Sequence, residues 1–223
     1  MFYVKRSYPG PSDLSKNIYN SPQIVSELRR IFNDKCYLCE RKGLMDAEVE
    51  HFIPHGNKEE LKYGWDNLFY VCSRCNSIKS DTHIDLLDCT SDKINVFEEI
   101  KHLAYECAAG RVCVIASSEN PDPKVINTVR LLDLCFNSVN TGHRETAKEF
   151  LLEEIQNELE YFIKLRRVLL ELKSTDEEKK DALTRMAVIC RDCYPYSVFW
   201  RWHAISDVQL NKKYENLRKI LGF

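Results

Sequence analysis

Apolar positions fall into two regimes along the chain. From Pro121 onward they recur at helical spacing: Val125, Ile126, Val129 and Leu132 share one face over residues 123–134. Phe150, Leu151, Ile155, Leu159, Phe162, Ile163, Leu169 and Leu172 continue that period over 145–172, which predicts a long amphipathic helix. Residues 174–178 (STDEE) carry a capping box for a further helix running to Cys190, and Tyr194-Pro195 opens an aromatic one containing Phe199, Trp200 and Trp202. Before residue 90 the period breaks up. Ser21-Pro22 starts a helix with Ile24, Val25, Leu28, Ile31 and Phe32 on one face. Residues 47–52 (AEVEHF) then alternate as a short strand, and a polar loop follows. Residues 68–71 (LFYV) form a second apolar run, and a helix is expected over 76–81. Two β-compatible runs, 100–105 and 111–116, flank Ala109-Gly110 and suggest a hairpin. The fold class predicted is α+β, predominantly α, with a boundary near residue 90 and a mainly helical region over 91–223 for partner or nucleic-acid contact.

Composition narrows the class. The 223 residues are 44 % hydrophobic and 30 % charged, ordinary values for a globular chain and unlike a disordered one. Net charge is −2, and residues 1–100 carry 13 Lys+Arg against 16 Asp+Glu, so nothing in the bulk charge announces a nucleic-acid binder. The opening residues lack the apolar run of a signal peptide, and no stretch reaches the roughly 18 apolar residues of a membrane span, so a cytoplasmic address without membrane contact is expected.

The unusual number is ten cysteines, and in a reducing compartment spacing decides their meaning. Cys36 and Cys39 form one C-x-x-C and Cys72 and Cys75 a second, with 32 residues between the pairs. Two such knuckles bring four thiolates to the corners of a tetrahedron, the ligand set of structural Zn2+. Four unconnected core thiols would not need the same gap twice. Cys190 and Cys193 repeat that gap without a partner pair, and with Cys89, Cys107, Cys113 and Cys135 they read as small core hydrophobes.

What the knuckles enclose suits phosphodiester hydrolysis. Glu50-His51 ends the first strand, Asn67 lies in the loop, and Asn76 follows the last cysteine. The reaction asks for a neutral imidazole to take a proton from water and a divalent cation on the phosphate. Neighbours on a strand face opposite ways, so Glu50 can serve the metal while His51 serves the water. Carboxylate and amide oxygens from Glu50 and Asn76 are hard ligands of the kind Mg2+ or Mn2+ takes.

The segments CYLC (36–39), EHFIP (50–54), WDNLF (65–69) and CSRCNSIK (72–79) resemble the HNH endonucleases of the zinc-stabilised ββα-metal type. The resemblance covers about residues 36–81 and implies an HNH nuclease domain over 1–90. It casts His51 as general base, Asn67 as the residue orienting that base and its loop, and Glu50 and Asn76 as metal ligands. Asn76 stands where histidine is commoner and Glu50 where aspartate is. Arg74 and Lys79 are assigned to phosphate, and Asp81 and His83 are further metal-ligand candidates. His55, after a proline, reads as solvent-facing.

A wider resemblance joins Val4-Lys5-Arg6, residues 127–132 (NTVRLL) and residues 197–200 (SVFW) to the HNH effectors of Septu and related retron-linked anti-phage systems. It implies an ABC/SMC-like ATPase (PtuA-like) as partner, and the weak charge fits a division in which that partner grips nucleic acid. DNA is the expected substrate. RNA, tRNA included, stays open as an alternative, as does a zinc-bearing nucleic-acid or protein-binding module whose nuclease site has decayed.

Overall fold

The computed structural model describes residues 1–139 and 142–223, with the side chains of Gly142 and His143 outside that description. Helix α1, Pro22–Ile31, begins at a Ser21 cap whose hydroxyl accepts from the Ile24 amide, and buries Ile24, Leu28 and Ile31. Strand β1 (Ala47–His51) pairs antiparallel with β2 (Leu68–Cys72), placing Glu50 opposite Phe69 and His51 opposite Leu68. Between them lies the single turn α2, Glu59–Lys62. Helix α3, Ser73–Lys79, follows β2 without a gap and packs on both strands, completing a ββα unit.

Helix α3 starts three residues earlier than the pattern predicts. Cys72 keeps extended backbone (φ −80°, ψ 152°) as its N-cap, so Cys75 sits inside the first turn and the second knuckle is the helix start itself. The N-terminal segment is pinned to this unit by Arg6. Its guanidinium donates to the carbonyls of Trp65, Asp66 and Leu68 at 2.8–3.0 Å and lies over the Trp65 and Phe69 rings.

After α4 (Val96–Glu99), strands β3 (Ile100–Leu103) and β4 (Cys113–Ala116) make the expected two-stranded sheet, and Gly110 takes the left-handed φ of 78° at its turn. Among the described residues six helices follow: α5 (Pro123–Asn137), α6 (Gly142–Leu170), α7 (Asp176–Ile189), α8 (Ser197–Ser206), α9 (Val208–Lys213) and α10 (Leu217–Leu221). The capping box at α7 forms as read, with Thr175 and Glu178 exchanging bonds.

Two compact units divide the chain differently from a cut at residue 90. The first takes residues 1–100 and 116–135, the second 101–115 and 136–223. The first unit keeps most of α5 because Thr128 Oγ1 accepts from the Leu87 amide and Arg74 Nε donates to the Cys135 carbonyl. Within the second unit His203 Nε2 accepts from the Ala104 amide at 3.0 Å, and burial drives its imidazole down to about 4. Phe199, Trp200, Arg201 and Trp202 are all buried there, so the aromatic run of α8 is core. Among the described residues no disulfide joins any cysteine, and no helix is long and apolar enough to cross a membrane.

Candidate active site and zinc centre

The four knuckle sulfurs converge in the first unit. Cys36, Cys39, Cys72 and Cys75 are buried, their Sγ atoms lie within 4.8 Å of one another, and Cys39 and Cys72 approach to 3.9 Å. A tetrahedron with Zn–S bonds of about 2.3 Å has edges of about 3.8 Å, so the donor set fits zinc in number, chemistry and size. Burial resists ionising Cys36, yet the neighbouring sulfurs of Cys39, Cys72 and Cys75 draw its thiol well below the ordinary value. Cys135 also hydrogen-bonds Cys75. The sequence placed Cys135 among scattered core thiols, and its distance along the chain gave no sign of this contact.

Glu48 and Glu50 share one face of β1 by strand alternation, while Asn76 and Lys79 share one face of α3 by helical spacing. The two faces meet in two rungs. In the outer rung Asn76 Nδ2 donates to Glu48 Oε2 at 2.5 Å, an exposed contact. In the inner rung Lys79 Nζ lies 2.6 Å from Glu50 Oε1, with the lysine side chain wholly buried and the glutamate 8 % exposed. Lys79 also donates to the His51 carbonyl at 3.2 Å.

This corrects one sequence expectation. Lys79 does not lie on an outer surface where phosphate would meet it, because α3 lies face down on β1 and carries its side chain into the interface. The sequence also missed Glu48, whose alternation with Glu50 was the signal that could have found it. Burial raises the Glu50 carboxyl pKa against the pull of Lys79, and Asp81 and Glu48 raise it further. Glu50 Oε2 and Asn76 Oδ1 have no hydrogen-bond partner among the described residues, so two hard oxygens remain for a cation. Arg74 is half-buried and commits Nε to the Cys135 carbonyl at 3.2 Å. His83 is half-buried, and burial lowers its pKa.

His51 ends β1 on the other side of the strand. Its Nε2 is 3.0 Å from the Lys62 carbonyl. A carbonyl only accepts, so Nε2 carries the ring proton and Nδ1 keeps its lone pair. Burial lowers the imidazole pKa, outweighing the bond to Lys62, and holds the ring neutral at neutral pH. Asn67 fixes the loop that supplies this carbonyl. Its Oδ1 accepts from the Ile53 amide at 2.7 Å, and its Nδ2 donates to the carbonyls of Ile53 and Leu61 at 2.8 and 2.9 Å. One buried side chain thus ties both ends of the polar loop. His55 packs its ring 4.7 Å from that of His51 and is half-buried rather than turned to solvent.

Residues 36–82 match the family model described as HNH endonuclease. This segment resembles an HNH domain. It holds both cysteine pairs and the positions Glu50, His51, Asn67 and Asn76. Over 70 residues the chain is 36 % identical to the Septu protein PtuB of Bacillus thuringiensis, an alignment covering 30 % of this chain and 27 % of that protein. The likeness is therefore local, and the chain matches about a quarter of that relative's length.

Proposed function

We propose that this protein is a metal-dependent HNH endonuclease that hydrolyses phosphodiester bonds, with DNA as first substrate, in an anti-phage complex with an ABC/SMC-like ATPase. The observation that carries the reading is the His51–Lys62 contact, which leaves Nδ1 of a neutral imidazole as the proton acceptor. His51 takes a proton from water as the water attacks phosphorus, and Asn67 keeps the Lys62 carbonyl where it sets the tautomer. Glu50 and Asn76 are the ligands proposed for Mg2+ or Mn2+, which when bound would stabilise charge on the leaving oxygen. Lys79 holds Glu50 and the His51 backbone together from the helix side. The proposed partner follows from the wider sequence resemblance and from a net charge too low for strong phosphate gripping by this chain alone.

One observation favours a second reading. Glu50 is already neutralised by Lys79, as expected of a decayed module that retains its zinc and binds nucleic acid or protein without cutting. Labelled duplex DNA, single strands and tRNA incubated with Mg2+ or Mn2+, with and without the ATPase, separate the readings. Hydrolysis that disappears in His51→Ala while zinc content holds supports the nuclease. Binding without cleavage at any divalent concentration supports the module.

A further inference from the structure

Two aromatic rings flank the proposed base, and a third packs against one of them. Tyr19 lies 4.8 Å from His51 between ring centroids, at an interplanar angle of 60°. Tyr63 lies 6.4 Å from Tyr19, and His55 closes the other side of His51 at 4.7 Å. The Lys62 ammonium sits 5.5 Å from the centre of the Tyr63 ring. Tyr19 comes from the segment before α1 and Tyr63 from the end of α2, so two separate stretches of chain meet in the ring pair whose Tyr19 touches His51.

Neither tyrosine belongs to the core. Tyr37 and Tyr70 are 0 % and 1 % exposed, whereas Tyr19 and Tyr63 are half-buried, and no protein group among the described residues bonds their hydroxyls. Large rings left partly in water beside a reactive group offer faces to something outside the protein. A cation next to them favours an anionic partner.

We infer that Tyr19 and Tyr63 form a stacking platform for an unpaired nucleobase beside the scissile phosphate, so that the strand being cut is single-stranded or locally opened. The inference rests on the phosphodiesterase reading and adds the state of its substrate. A base inside a duplex has both faces covered by its neighbours, so it can lie on a tyrosine only after leaving the stack. Stacking accepts any base, which would give a preference for strand state without one for sequence. Lys62 would meet the backbone phosphate next to the stacked nucleotide, while its carbonyl holds His51.

The test uses the zinc-loaded chain without added Mg2+ or Mn2+ and a single-stranded oligonucleotide containing 2-aminopurine, whose fluorescence reports stacking. The same sequence annealed to its complement is the control. Binding should quench the probe in the single strand. Tyr19→Leu and Tyr63→Leu should each weaken that binding about tenfold and abolish the quench, while leaving the duplex unaffected. Tyr19→Trp should keep both signals, which shows that a ring is needed rather than a hydroxyl. Zinc content and thermal melting confirm that each variant folds. Leucine variants that bind and quench like the parent, or a parent that prefers the duplex, overturn the inference while the nuclease reading stands. A parent chain that binds no nucleic acid in either form overturns the inference, whereas the nuclease reading falls only if cleavage is absent with the ATPase present.

Discussion

Lys79 Nζ reaches Glu50 Oε1 at 2.6 Å across the β1–α3 interface, with almost no solvent at either side chain. The pair joins the helix that starts at the zinc centre to the strand that ends in His51, because the same ammonium also donates to the His51 carbonyl. A buried pair of this kind contributes little net stability relative to an apolar one, yet breaking it from one side leaves a charge stranded. Replacing Lys79 by Met should therefore destabilise the first unit by about 3–5 kcal/mol, seen as a lower urea midpoint. Glu50→Gln combined with Lys79→Met should recover most of that loss. A single variant as stable as the parent would contradict the coupling.

Removal of zinc should unfold the first unit. Structural zinc typically contributes about 10–16 kcal/mol of apparent binding free energy, as much as the whole stability of an ordinary domain. One zinc per chain is expected by elemental analysis, and a strong chelator should release it together with loss of ordered circular dichroism. Cys75→Ser should show the same loss without chelator, since its sulfur lies in the first turn of α3.

Asn67→Ala removes three hydrogen bonds that close the loop carrying Lys62. The base would lose its fixed tautomer and place, and displacement of about 1 Å at a reacting group can cost on the order of 100-fold. A fall in kcat of that size is expected with zinc retained. Asn67→Asp should be equally damaging, because a carboxylate cannot donate to the Ile53 and Leu61 carbonyls. Wild-type turnover in either variant would remove Asn67 from the machinery.

The second unit should be acid-sensitive through His203. Its folded-state pKa is about 4 against an ordinary value of 6.5, so the unfolded chain takes up a proton that the folded chain refuses. Stability is then fully present above pH 6.5 and declines as pH falls toward 4, by about 3 kcal/mol at the lower end. Tryptophan fluorescence during urea unfolding at pH 7 and pH 4.5 reads this from Trp200 and Trp202, which lie in the same unit. His203→Gln, which can still accept from the Ala104 amide, should flatten the dependence.

Local chemistry was written in the sequence. Cys36, Cys39, Cys72 and Cys75 announced a tetrahedral thiolate site because two-residue gaps impose knuckle geometry whatever surrounds them, and the four sulfurs do converge. The longer helices and the short strands followed from periodicity and capping, since these depend on residues within one or two turns, whereas the short helices α2, α4, α9 and α10 were not legible. The order Glu50-His51, Asn67, Asn76 gave the cast of the candidate site. Only the tertiary structure decided the partners. Lys79 and Glu50 are 29 positions apart, His51 and Lys62 are 11, and Tyr19 stands 32 before His51, so no spacing rule links them. The division into units was equally hidden, because α5 belongs to whichever core receives Thr128 and the Cys135 carbonyl. Burial turned Lys79 from a surface cation into the counter-ion of Glu50, and that reversal depends on which face of α3 meets β1, a property of packing rather than of any single stretch of chain.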